Sequence, residues 1–236
     1  NLKNLELILV NDGSSDGSEK ICEDFVAQDA RVRYYYQENA GVSVARNFGV
    51  SMAQGEHIYF LDSDDHIDPN FLQSAFQLAK EKTADIIVCG GYYANRFPNP
   101  TALPTCALFL RKAFLDQHPD VQFPIGIQPA EDGLYSHQLL ALTQRVYLVT
   151  DVTYFYRQHA GQNTAQLAQV KERILQQIPE WLEVLKAFYD RRQLWDSRAL
   201  HVARFIEHEP FEFRYLAMPF DEQQKQKLFE LLQQFM

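Results

Sequence analysis

Leu5-Glu6-Leu7-Ile8-Leu9-Val10 runs straight into Asn11-Asp12-Gly13-Ser14-Ser15-Asp16-Gly17-Ser18, and from there into a stretch with Ile21, Cys22, Phe25 and Val26 on one helical face. A short apolar run, a turn rich in Gly, Ser and Asp, and an amphipathic segment together spell strand, loop and helix. The helix is expected over Ser18–Gln28, and a second strand over Arg31–Tyr36. The cycle then repeats: helix Val42–Ala53 closed by Gly55, strand Ile58–Leu61, helix Asn70–Lys82 begun after Pro69, and strand Asp85–Cys89. This rhythm predicts an α/β fold, a doubly wound and mostly parallel sheet, whose ligands sit beyond the carboxyl ends of the strands.

Past Gly91 the pattern weakens, because Pro98, Pro100 and Pro104 interrupt the chain before an amphipathic segment over Ala107–His118. That region reads as irregular. Glu131–Leu142 reads as a helix, Val146–Val149 and Thr153–Tyr156 as strands, and the chain from Ala165 onward as a helical appendage with few glycines. There Trp181, Leu182, Leu185 and Phe188 recur at helical spacing, which suits core packing first and also a dimer contact.

The 236 residues can bury a sizeable core. With 22 Lys and Arg against 31 Asp and Glu, long-range attraction to nucleic acid or anionic lipid is not a general property of the surface, so an anionic ligand needs a metal or a placed Arg. Cys22, Cys89 and Cys106 show no close pairing, and the first and second sit among apolar neighbours, as small buried hydrophobes in a reducing compartment do. No apolar run is long enough to span a bilayer, and Asn1-Leu2-Lys3-Asn4 lacks a secretion pattern, so a cytoplasmic protein is expected.

Carboxylates gather at the predicted strand ends. Asp12, Ser14, Asp16, Gly17 and Glu23 approach the spacing of a calcium loop, but such a loop follows a helix and this one follows a β-like run. Asp16 with Glu19 is explained by a capping box; Asp12 is not, and is assigned to the base or ribose of a nucleotide. Asp62-Ser63-Asp64-Asp65 puts three carboxylates at the end of one strand, a repulsive arrangement without a cation. Oxygen ligands of this kind suit Mg²⁺ or Mn²⁺ bridging to a diphosphate. The plainer alternative is an acidic turn, with Asp65 or Asp68 capping near Pro69. Arg46 lies off the apolar face of its helix, where it can reach a phosphate or Asp12 or simply point to solvent. Glu131-Asp132 is at a helix start, where carboxylates are ordinary, and His159 is a metal-ligand candidate or a surface residue.

The segments Asn11–Asp16, Gln37-Glu38-Asn39-Ala40-Gly41, Ala45-Arg46-Asn47, Gly55-Glu56 and Leu61–Asp65, in this order and spacing, resemble family 2 glycosyltransferases of GT-A fold. Glu131-Asp132 is similar to the family's acidic pair, and Tyr156-Arg157 with His159 to a segment that follows the catalytic helix. The resemblance covers residues 1–160, read as the nucleotide-sugar domain, and leaves 161–236 as the helical C-terminal region. It implies nucleotide-sugar binding by Asp12, Arg46 and Asp62, a divalent ion (Mn²⁺ or Mg²⁺) on Asp64 with His159, and Asp132 as the base. The implied reaction is inverting transfer from a nucleotide sugar, a UDP sugar foremost, to a hydroxyl of a glycan or glycolipid, with peripheral association at the cytoplasmic membrane face as a corollary. Family members begin with an apolar strand and a Pro-and-aromatic turn that hold the base; this chain is expected to lack them. Two other functions stay open: a metal-dependent nucleotidyltransferase, for which no Gly-rich phosphate loop is present, and a sugar-nucleotide-binding or assembly module without turnover.

Overall fold

The structure is a computed structural model describing residues 2–94, 100–158 and 171–236. The first unit is β1 (Leu7–Asp12), α1 (Ser18–Gln28) and β2 (Val32–Gln37), with β1 and β2 parallel and Leu7 opposite Val32. α2 (Val42–Met52) leads to β3 (His57–Tyr59), β4 (His66–Ile67), α3 (Phe71–Lys82) and β5 (Ile86–Cys89). Then come the short α4 (Gly91–Ala94), β6 (Leu108–Arg111), α5 (Lys112–Asp116), α6 (Glu131–Leu142), β7 (Val146–Val149) and β8 (Tyr154–Phe155). Three helices, α7 (Lys171–Arg192), α8 (Trp195–Ile206) and α9 (Glu222–Phe235), follow, with a π-helical stretch over Glu207–Leu216.

The α/β class expected from the sequence is present, and the sheet is mixed. Its four-stranded part has the order β3-β6-β5-β7, with β6 antiparallel to both neighbours and β5 parallel to β7. β6 falls inside the segment read as irregular and amphipathic: four residues carry too short a pattern to separate strand from helix. Side chains alternate across this sheet as strand geometry requires. Ile86, Val88, Leu108 and Leu110 face one core, and Ile87, Cys89 and Phe109 the other. α3 covers the second face with Phe71, Ala75 and Ala79, while α6 and α7 cover the first. Burying each large side chain such as Phe71 contributes roughly 1.5–3 kcal/mol.

Two expectations change in detail. The face of α1 meant for the core is open, with Ile21 58% and Phe25 54% exposed, because the two-stranded β1–β2 layer is too narrow to cover it. The helices beyond residue 171 share one core with the sheet, Trp181, Leu185 and Leu228 clustering with Ile58, Ile86 and Leu134. The boundary drawn at residue 160 lies outside the described residues. Among the described residues no helix is long and apolar enough to cross a membrane.

Candidate active site

Three elements deliver charge to one place. β3 ends at Tyr59, and three residues further on the chain turns through Asp62-Ser63-Asp64-Asp65, closed by the Asp65 N–H donating to the Asp62 carbonyl at 3.1 Å. α6 opens with Glu131 and Asp132, Glu131 buried and Asp132 half-buried. Between them α2 projects Arg46, whose guanidinium donates to Asp62 and to Glu131, each at 3.0 Å. The sequence allowed Arg46 a phosphate or Asp12; its protein partners are instead these two carboxylates, 16 and 85 positions away.

The electrostatics follow from that count. Burial opposes the Arg46 charge, but Asp62, Glu131 and Asp132 outweigh it and hold the guanidinium above its usual range. Burial raises the Asp132 carboxyl against the pull of Arg46. Glu131 is pushed up by burial and then by the Asp132 charge, again against Arg46. Among the described residues, Arg46 and, at Asp132, the buried Arg214 that is paired with Glu209 leave these three acids in negative excess in a poorly solvated place, the condition under which a carboxylate holds or takes a proton.

The rest of the acidic turn is anchored. Asp65 accepts from the Tyr154 hydroxyl at 2.5 Å and from the Arg157 N–H at 2.8 Å, tying the turn to β8. Asp68 accepts from the N–H groups of Thr153 and Asn70, so the capping role allowed for these two residues is partly realised. Asp64 is half-buried on the same turn. His159 lies outside the described residues, and among those described no three His, Cys, Asp or Glu side chains converge as a metal cage. The donor chemistry of the turn fits Mg²⁺ or Mn²⁺ nonetheless, since such ions take one or two carboxylates and complete their shell with water and phosphate.

Asp12, the last residue of β1, is held apart from this cluster. Its carboxylate accepts from Gln37 Nε2 at 2.7 Å and from the N–H groups of Ala40 and Gly41 at 2.9 Å each. Asn39 Nδ2 donates to its carbonyl at 2.9 Å. Asp12 thus folds the Gln37–Gly41 segment onto the end of β1 at the mouth of α2, and Gly41 takes φ +92°, a left-handed value natural to glycine. Asp16 accepts from the Ser18 N–H at 2.9 Å as a turn residue, but α1 is capped by Gly17 with no side-chain bond, so the capping box expected of Asp16 and Glu19 does not form: the chain enters the helix one residue later than that box requires. A cavity of about 470 Å³ lies at the opposite end of β3, around His57, Lys80 and Arg111, and holds none of the acidic cluster.

Two residues escaped the sequence reading. Asn47 entered it only as part of Ala45-Arg46-Asn47, and Phe123 not at all; no local pattern marks a ring in a loop as part of a charged site. Asn47 binds the Phe123 backbone, and the Phe123 ring lies under Arg46 with Cζ 5.4 Å from its centroid.

Comparison with known proteins bears on what this arrangement does. The model of Glycosyl transferase family 2 matches residues 1–141. The chain is 32% identical over 195 residues to the glycosyltransferase GlyG of Streptococcus pneumoniae serotype 4, covering 67% of this chain and 63% of that protein. It is 32% identical over 186 residues to the minor teichoic acid biosynthesis protein GgaA of Bacillus subtilis, covering 69% and 42%. The chain therefore spans less than two thirds of the length of these relatives. Staphylococcus aureus TarS 1-349 in complex with UDP-GlcNAc superposes with TM-score 0.63 at 19% identity, over 98% of this chain and 71% of that one. The mannosyltransferase PcManGT of Pyrobaculum calidifontis, in complex with GDP-Man and Mn²⁺, gives TM-score 0.64 at 15% identity, over 98% and 65%. Likeness at these identities is likeness of fold, the GT-A fold of glycosyltransferases.

Proposed function

The chain belongs to glycosyl transferase family 2, and from that premise we propose that it moves a sugar, with inversion, from a nucleoside diphosphate sugar to a hydroxyl of a glycan or glycolipid. The observation that carries the reading is the cluster of Asp62, Glu131 and Asp132 around Arg46, beyond the end of β3, where an α/β sheet binds its ligand. A UDP sugar is the favoured donor and a surface polysaccharide the favoured product, supported by relatives named for glycosyl transfer and teichoic acid synthesis. A glycolipid acceptor would bring the chain to the cytoplasmic membrane face, and two chains can pair there.

Asp132 acts as the base. It takes the proton of the acceptor hydroxyl as that oxygen bonds the anomeric carbon and the bond from this carbon to the diphosphate breaks. Asp12, with the Gln37–Gly41 segment it shapes, and Asp62 hold the nucleoside; Arg46 faces the diphosphate while restraining Asp62 and Glu131. Asp64, with His159, would hold Mn²⁺ or Mg²⁺, whose positive charge would be supplied to the diphosphate of the donor. Titration calorimetry with UDP, with and without Mn²⁺, tests the reading. It requires binding that depends on the ion and is lost in Asp64→Ala; equal binding in all cases sinks the metal assignment, and no UDP binding sinks the donor. A binding module without turnover would pass this test yet leave UDP sugars intact on prolonged incubation.

A further inference from the structure

Phe123 lies in the irregular chain between α5 and α6, yet its ring is 1% exposed and touches all three elements that bring charge to the site. The Arg46 guanidinium of α2 lies over it at 5.4 Å. Tyr135 of α6, one turn beyond Glu131, stacks on it with centroids 3.9 Å apart and an interplanar angle of 23°. Phe60, two residues before Asp62, meets it edge-on at 5.3 Å and 82°. The backbone is clamped as well: Asn47 Nδ2 donates to the Phe123 carbonyl, and the Phe123 N–H donates to Asn47 Oδ1, both at 2.9 Å. The residue following Arg46 thus fixes the floor on which Arg46 rests.

We propose that Phe123, clamped by Asn47, is a positioning residue that holds Arg46 in its bridge between Asp62 and Glu131. An arginine side chain has many rotamers, and two carboxylates at 3.0 Å can be met from several of them. A ring beneath the guanidinium selects one by cation–π attraction and by excluded volume. Because that ring also abuts Phe60 and Tyr135, displacement of the acidic turn or of α6 is felt at Arg46 directly. The kinetic consequence rests on the glycosyltransferase reading; the ordering of Arg46 rests on packing alone.

Phe123→Leu removes the aromatic face while keeping most of the apolar volume, and Asn47→Ala releases the backbone. Phe71→Leu, in the other core cluster, is the control for lost packing. In side-chain NMR of ¹⁵N-arginine protein, the wild type and Phe71→Leu should show separate Arg46 Nη signals from slow rotation, and Phe123→Leu and Asn47→Ala a merged one. UDP release from UDP-glucose and UDP-N-acetylglucosamine with Mn²⁺ should fall about tenfold in kcat/KM for both site variants, as expected for a misplaced charged group. Phe123→Tyr, which keeps the ring face, should restore most of it. Separate Arg46 signals persisting in Phe123→Leu, or wild-type turnover in that variant, would overturn the proposal. If the wild type turns over neither donor, the functional reading loses its support while the NMR result still decides the positioning role.

Discussion

Two charge clusters in this protein use acid and base in opposite proportions. At Asp85, with its side chain 3% exposed, one carboxylate serves two guanidiniums: Arg145 at 2.7 Å and Arg111 in close contact, with the Thr143 hydroxyl donating at 2.6 Å. Burial would raise this carboxyl, but the bonds from Arg145, Thr143 and Arg111 prevail and hold it below its ordinary value. Around Arg46 the ratio is inverted, one guanidinium among Asp62, Glu131 and Asp132. The first arrangement is complete, stapling β5, β6 and the start of β7 together. In the second, among the described residues, Asp62, Glu131 and Asp132 outnumber the cations acting on them, Arg46 and, at Asp132, Arg214; such an excess is offset by a proton or a metal ion, as the proposed site requires.

Breaking each cluster should separate these roles. The largest effect is expected from Asp132→Asn, which removes the proposed base and should slow transfer by about 10²–10⁴-fold, the usual worth of general base catalysis, while melting and UDP affinity stay near wild type. Asp85→Ala should do the reverse. It should cost about 3 kcal/mol of stability in urea titrations, the low end for a broken buried pair because Arg145 is half-exposed, and leave kcat of the folded protein unchanged.

The comparison sharpens with pH. Burial, then the Asp132 charge, push Glu131 up to about 7 from an ordinary 4.5, against the pull of Arg46. Across that window the folded protein keeps a proton the unfolded chain has released, so stability falls as pH rises, and Glu131→Gln should flatten that fall. Asp85 has the opposite sign. Its lowered carboxyl contributes stability above the ordinary 3.8 and loses it as pH drops below, so Asp85→Asn should flatten the acid limb only. The smallest effect concerns the entrance to α6, where Ala130 takes φ +88°. Ala130→Gly relieves that left-handed strain and should stabilise the fold by about 1 kcal/mol, read as a rise in melting temperature.

Much of this was legible in the sequence. Ser18–Gln28, Glu131–Leu142 and Val146–Val149 have the very ends their patterns predict, because turn residues and apolar spacing agree there. The carboxylates were visible as a charge excess at strand ends. What stayed hidden is tertiary. β6 pairs with β3 and β5 through long-range contacts that periodicity does not encode. The open face of α1 depends on how wide a layer lies beneath it. The partners of Arg46 are remote in sequence, and Phe123 has no neighbour along the chain to announce it.

The most direct measurement follows, by proton NMR, the anomeric configuration and amount of product released from a panel of UDP sugars with Mn²⁺, for wild type and Asp132→Asn. The account predicts an inverted product from at least one donor and a rate at least about a hundredfold lower in the variant, with UDP still bound. A retained configuration, or turnover by Asp132→Asn at the wild-type rate, would contradict it.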